Sequence, residues 1–307
     1  MKQVLITGIT GFVGLNLQEY LSKNYKLLGV SRTSNQTLNI KSYAELSVDD
    51  LNQSEAIIHL AGKAHDLRNV SNEQEYFTVN TDLTKDLFDK FLESSCKTFV
   101  YMSSIKAVSD SPQSILDESA TPEPKTAYGK SKLAAEQYLQ QNSTKEKSVY
   151  ILRPCMIHGP KNKGNLNLLH KIIQKNIPYP LGAYENKRSF LTVANLCFII
   201  HELLTHNITS GVYHLSDDQS ISTKDLVRII AEQIGKKPKI INFPKFIILI
   251  IAKFGNFLKL PLNTNRLDKL TESYEVSNEK IKKAIKKELP FTTVEGLKNT
   301  IASFDND

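Results

Sequence analysis

The stretch Val4-Leu5-Ile6-Thr7-Gly8-Ile9-Thr10-Gly11-Phe12-Val13-Gly14 constrains the fold more than any other part of this 307-residue chain. Apolar and β-branched residues run into a glycine, and glycines recur at 8, 11 and 14. From Gly11 onward the apolar residues Phe12, Leu15, Leu17, Tyr20 and Leu21 take helical spacing. The pattern reads as buried strand, tight turn and helix. Gly8 allows the turn, Gly11 lets the backbone approach a pyrophosphate, and Gly14 lets the helix pack on the strand. The N–H groups at the start of the helix, those of Phe12 and Val13 among them, are open to phosphate. A glycine-rich turn without a ligand is the alternative; strand, glycines and helix in this order favour a nucleotide.

A second short strand runs from Lys26 to Arg32. A carboxylate at its end would hold the adenosine ribose hydroxyls and favour NAD. The chain has Ser31 and Arg32 instead, and an arginine can pair with a 2′-phosphate. NADP(H) is therefore the expected cofactor, with NAD the alternative if Arg32 is only a solvated loop residue. Ala56 to Gly62 reads as a third strand and its exit, with His59 a core histidine. Glu73 to Ser95 reads as helix, Lys97 to Ser103 as a fourth strand, Tyr128 to Gln141 as helix and Ser148 to Arg153 as a fifth strand. Gly211 to Leu215 reads as the last strand, and Ser222 as the cap of the helix after it. Strands alternating with helices predict an α/β fold with a Rossmann-type doubly wound parallel sheet.

Tyr128 and Lys132 stand four apart, so on a helix they share one face. An ammonium there stabilises the phenolate and lowers the tyrosine pKa from its ordinary value near ~10, which would let it exchange a proton. Alone, a Y-x-x-x-K spacing marks a solvated helix face. After a nucleotide loop and a fourth strand ending in Ser103-Ser104, it resembles the Tyr–Lys pair of the extended short-chain dehydrogenases/reductases, the branch that modifies sugar nucleotides. The G-x-x-G-x-x-G spacing resembles the same family.

That resemblance implies further roles. Ser104, second of its pair, becomes the third catalytic residue. His59-Leu60-Ala61-Gly62 resembles the family segment whose Leu60, Ala61 and Gly62 backbone passes the cofactor. Asn80 matches a supporting asparagine. Arg153 to Pro160 resembles the segment that passes the nicotinamide, with His158 in place of the usual tyrosine. Arg188 matches an arginine that binds substrate phosphate, where a forked donor suits a diphosphate. Lys106, Asn165 and Arg266 are further substrate contacts. The dehydratases of the family carry Asp-Glu where this chain has Ile105-Lys106, so dehydration is not expected. The resemblance also implies a homodimer through the helices near Asp82–Ser95 and Tyr128–Gln141. Residues 1–158 would form the dinucleotide-binding domain, with 189–215 returning to it, and 159–188 and 216–307 the substrate lobe.

Composition narrows the partners. Cys96, Cys155 and Cys197 show no metal spacing and fit a reducing cytoplasm. The net charge of +7 is scattered, which suits solubility or anionic small molecules better than nucleic acid. A glycine loop follows the first strand directly, so no signal peptide is expected. The longest apolar run, Phe246 to Ala252, is too short to span a bilayer. It reads as a buried helix, with membrane-surface contact the alternative. The expected activity is 4-ketoreduction of a UDP-4-keto-6-deoxy-N-acetylhexose in surface-polysaccharide biosynthesis. A UDP-sugar 4-epimerase is the alternative, and a non-catalytic dinucleotide-sensing regulator the distant one.

Overall fold

The structure, a computed structural model, describes residues 1–63, 72–162, 165–257 and 263–304. Strand β1 (Gln3–Thr7) leads through the glycine loop to helix α1 (Phe12–Leu21), and β2 (Lys26–Ser31) returns parallel to β1. A short β3 (Ile40–Ser42) adds to the outer edge of β2. After helix α2 (Val48–Asn52), β4 (Ser54–His59) crosses back to the other side of β1. Next come α3 (Glu73–Phe77), α4 (Leu83–Glu93), β5 (Thr98–Met102), α5 (Ala127–Asn142) and β6 (Ser148–Pro154). The middle of the chain holds β7 (Met156–His158), α6 (Asn165–Gln174), β8 (Phe190–Thr192), α7 (Val193–Thr205) and β9 (Gly211–Leu215). Helices α8 (Thr223–Gln233), α9 (Lys245–Phe257), α10 (Thr264–Thr271), α11 (Glu279–Ile285) and α12 (Thr293–Ser303) complete it.

The main sheet has seven strands in the order β3-β2-β1-β4-β5-β6-β9, every neighbouring pair parallel. Such a sheet is covered on both faces, so its strands need apolar side chains at successive positions. The strand period of two then divides them. Val4, Ile6, Ile58 and Val100 join one core with Leu17 of α1 and Leu196 of α7. Leu5, Ile57, Phe99 and Tyr101 join the other with Phe88 and Phe91 of α4 and Leu139 of α5. A third core, with Leu166, Phe190, Leu226, Ile248 and Leu297, fills the part built mainly from α6, α8, α9 and α12. Order reverses between β1 and β4, which opens a crevice at their carboxyl ends where ligands of such sheets bind.

Several details depart from the sequence reading. Strand β3 and the two-stranded parallel pair β7–β8 were not expected. Helix α1 packs through Gly14, Leu17 and Leu21, and leaves Leu15 and Tyr20 outside. The helix over 73–93 is interrupted by a π turn at Thr78–Asp82. The extra residue in that turn brings both Asn80 and Thr81 inward, where they are buried. Helix α9 is not a buried helix. Among its described side chains only Ile248 and Ala252 are buried, while Phe246, Leu249, Ile250, Ile251 and Phe254 are exposed.

Candidate active site

At the end of β1 the crevice is bordered by the glycine loop and the first turn of α1. Gly8 sits at φ +70°, where a side chain is strained, and a Cβ there would lie 2.8 Å from the Ala61 nitrogen. A Cβ on Gly14 would collide with the Gly8 carbonyl oxygen. The loop after β4 is held to β1 by Leu60 N–H donating to the Thr7 carbonyl (3.2 Å) and Ala61 N–H donating to Thr7 Oγ1 (3.2 Å). Gly11 is the N-cap of α1 and supplies no side chain, so the first-turn N–H groups of Phe12, Val13 and Gly14 are left for phosphate. Glycines at 8 and 14 thus let the loop close against the backbone at Ala61 and Ile9, and the uncapped first turn of α1 beside it fits the phosphates of a dinucleotide. Ser31 turns its hydroxyl to the Thr33 carbonyl (2.6 Å), and Arg32 is exposed at the end of β2.

Tyr128 enters the crevice from the first turn of α5, which Thr126 caps by accepting from the Gly129 N–H at 3.2 Å. A Cβ on Gly129 would strike the Lys106 carbonyl, so glycine lets α5 close on the turn 105–107. Ser104 begins that turn, its Oγ accepting from the Lys106 N–H at 3.2 Å. Ser104 and Tyr128 share a side-chain hydrogen bond. Ser103 points elsewhere and donates to Glu136. Lys132 is buried beneath, its ammonium donating to the Met102 carbonyl (2.9 Å) and lying 4.9 Å from the Tyr101 ring centre.

The electrostatics differ from the sequence expectation. Desolvation raises the Tyr128 phenol above its ordinary value, the Ser104 hydrogen bond opposes this, and Tyr76 adds to the rise. Burial pushes the Lys132 ammonium down to about 8, with Glu136 acting the other way. Burial thus sets the direction of the Tyr128 shift, opposite to the lowering by Lys132 that the spacing predicts.

Support for these groups comes from residues the sequence reading placed outside the chemistry. Asn80 donates to Ser131 Oγ (3.0 Å) and the Lys63 carbonyl (3.1 Å), and accepts from the Lys63 N–H at 2.7 Å. It ties the loop after β4, with Gly62 against it, to α5. Tyr76 packs edge-on to Tyr128 at 6.2 Å. No motif marked Tyr76. Glu136 is fully buried and takes two Arg153 Nε contacts at 3.1 Å and one from Nη2 at 2.5 Å. His59 is a core residue, its ring between Thr7 Oγ1 (2.6 Å) and Thr84 Oγ1 (2.9 Å), with burial lowering its pKa to about 3. His158 is also buried, 2.8 Å from Thr300 Oγ1.

On the substrate side, a cavity of about 230 Å³ is walled by Ser104, Lys106, Cys155, Arg188, Glu272 and Tyr274. Lys106 donates to the Asp110 carbonyl (2.8 Å) and lies 4.5 Å from the Tyr274 ring centre; burial lowers its pKa. Arg188 donates to the Lys269 carbonyl and stands 3.7 Å from Glu272, while its buried Nε has no protein partner. A second, apolar cavity of about 230 Å³, walled by Leu166, Tyr179, Phe190 and Leu226, shares Arg188 and Met156 with the first. Tyr274 and Glu272 come from a region where no motif marked them. The side chains of Asn165 and Arg266 lie outside the described residues. Among the described residues no cluster of metal ligands exists.

The chain and its fold have known counterparts. The NAD dependent epimerase/dehydratase family matches residues 4–215. The chain is 29% identical to UDP-glucose 4-epimerase of Vibrio cholerae, over 99% of this chain and 95% of that one. Its fold is similar to that of UDP-N-acetylglucosamine 4-epimerase from Bacillus cereus, with TM-score 0.80, 21% identity, and 99% and 100% of the two chains covered. It is also similar to RMD from Pseudomonas aeruginosa complexed with NADPH, with TM-score 0.74, 21% identity, and 99% and 100% covered.

Proposed function

The chain belongs to the NAD dependent epimerase/dehydratase family, and from that premise we propose that it is an NAD(P)-dependent enzyme acting at C4 of a nucleotide sugar, most simply a 4-ketoreductase of a UDP-4-keto-6-deoxy-N-acetylhexose. The contact of Ser104 with Tyr128, above a buried Lys132, carries this reading. The nicotinamide cofactor, when bound, supplies the hydride. Gly11 lets the backbone approach its pyrophosphate, Gly8 and Gly14 shape the loop that presents it, and the first turn of α1 binds it. Ser104 holds the C4 oxygen of the sugar beside the Tyr128 hydroxyl. Tyr128 gives its phenolic proton to that oxygen, and Lys132 supplies positive charge beneath the developing phenolate and a donor toward the nicotinamide ribose. Arg188, with its unpartnered Nε, takes the diphosphate. The substrate lobe over 159–188 and 216–307 and a homodimer through α4 and α5 belong to the same reading; light scattering tests the dimer.

Two results follow from the charges. Lys132 titrates at about 8, so turnover in the reducing direction should hold below that pH and fall above it as Lys132 loses charge. A rate unchanged up to pH about 10, the ordinary tyrosine value, would remove Lys132 from the proposal. Arg32, exposed where a ribose-binding carboxylate would sit, supports NADP(H) over NAD(H). Hydrogen bonds to charged groups contribute about 1.5–3 kcal/mol. Arg32→Asp should therefore weaken NADPH about ten- to a hundredfold and leave NADH little changed. Equal affinity of the unmodified protein for both cofactors, by fluorescence titration, would count against NADP(H).

The full-length similarity to UDP-glucose 4-epimerase favours a second reading, 4-epimerisation. Here the same three residues would take the proton from the C4 hydroxyl and return it after the 4-keto sugar turns over, with the cofactor, when bound, holding the C4 hydride in between. The deciding experiment incubates purified protein with UDP-N-acetylglucosamine without added cofactor, and separately with NADPH and a UDP-4-keto-6-deoxy sugar. Interconversion of the first without cofactor consumption supports the epimerase; stoichiometric NADPH loss with the second supports the reductase. Inactivity with both overturns the proposal.

A further inference from the structure

Helix α9 has an outward face that the fold does not use. Phe246 and Phe254 are each 63% exposed, with Ile250 and Ile251 nearly half exposed. Phe246, Ile250 and Phe254 stand four apart and form one ridge along the helix. Phe243, also exposed, extends the patch before the helix begins. The opposite side is anchored: Ile248 and Ala252 are buried in the core that holds Leu226 and Leu267. Scattered apolar side chains on a surface are ordinary, but a contiguous ridge of this kind marks a docking face.

Charge identifies what docks. From residue 233 to residue 267 the sequence contains no Asp or Glu and seven Lys or Arg. Lys245 and Lys253, on α9 itself, are exposed. A second copy of the chain packed there about a two-fold axis would bring these cations against their equivalents, with no carboxylate in the segment to pair them. An anionic bilayer satisfies both features: the acyl boundary takes the aromatic and aliphatic ridge, and the headgroup phosphates take the lysines. We propose that α9 docks this protein on the surface of an anionic membrane. The helix has 13 residues, too few to span a bilayer. Among the described residues no helix is long and apolar enough to cross a membrane. The contact is therefore with one leaflet. Because Ile248 and Ala252 share a core with Leu166, Tyr179 and Phe190, docking would hold the apolar cavity beside Arg188 near the lipid surface.

Sedimentation of the full chain with vesicles tests this independently of the reaction it catalyses. The protein should pellet with phosphatidylcholine vesicles containing about a third phosphatidylglycerol, and bind pure phosphatidylcholine roughly tenfold more weakly or worse. The double variant Phe246→Ser/Phe254→Ser should lose pelleting by a similar factor while keeping the parent's melting temperature and cofactor affinity. The proposal is overturned if the parent stays in the supernatant with both vesicle types, or if the double variant pellets like the parent. It is equally overturned if light scattering shows a parent dimer that the double variant abolishes, because a second copy then covers the face.

Discussion

Tyr128→Phe should lower single-turnover hydride transfer by about 10²–10⁴-fold, the range general acid–base catalysis typically contributes, with cofactor affinity and fold retained. The substitution removes one hydroxyl and leaves the ring that packs on Tyr76. Ser104 loses its phenolic partner but keeps the Lys106 N–H. Lys132→Met should behave differently. It removes the ammonium from the Met102 carbonyl and the Tyr101 face, and with it the cationic donor proposed for the nicotinamide ribose, so affinity and turnover should fall together. Ser104→Ala should reduce turnover with little effect on cofactor binding. If Tyr128 and Lys132 only decorate a helix, each substitution should stay within about 0.5 kcal/mol of the parent. Stopped-flow absorbance of the nicotinamide separates the two patterns. Near-normal transfer in Tyr128→Phe would sink the catalytic assignment.

Arg153→Met should destabilise the protein by about 3–5 kcal/mol, the usual cost of leaving a buried charge without its partner. Glu136 has no exposed surface, and after the substitution its carboxylate would keep only the Ser103 hydroxyl of the contacts described for it. Domain stabilities are about 5–15 kcal/mol, so the loss takes a large share. Urea unfolding should show a lower midpoint with an unchanged slope. Glu136→Gln on the Arg153→Met background should recover much of it, because the uncompensated charge is gone. A midpoint near that of the parent would mean the pair contributes packing alone. Ser103 precedes Ser104, so this buried cluster also fixes the strand end from which the Ser104–Tyr128 contact is made.

What could be read in advance follows from how locally each feature is encoded. The turn at Gly8 to Gly14 and the Tyr128–Lys132 spacing lie within a few residues, and the structure places both at the crevice. Alternating strand and helix patterns led to a parallel sheet because each β-α unit is itself a local signal. Strand β3 spans three residues and borrows its hydrogen bonds from β2, so nothing in its own composition announces it. Glu272 and Tyr274 reach the cavity across long sequence separations, through backbone pairing of Tyr274 with residues 187–189. The direction of the Tyr128 shift depends on burial, which a spacing cannot show. Helix α9 misled for a related reason: seven successive apolar residues have no polar side from which to infer an outward face.

Strand β9 has a consequence for synthesis. It covers the flank of β6, yet residues 211–215 follow β6 by more than fifty positions, with β7, α6, β8 and α7 between. A nascent chain that has just made β6 would therefore expose the open hydrogen-bonding edge of a parallel sheet until β9 emerges. At about 5–20 residues per second, that interval lasts seconds, long enough for edge-to-edge association. Fragments ending between β6 and β9 should aggregate during expression, whereas one reaching past Leu215 would carry its own edge cover.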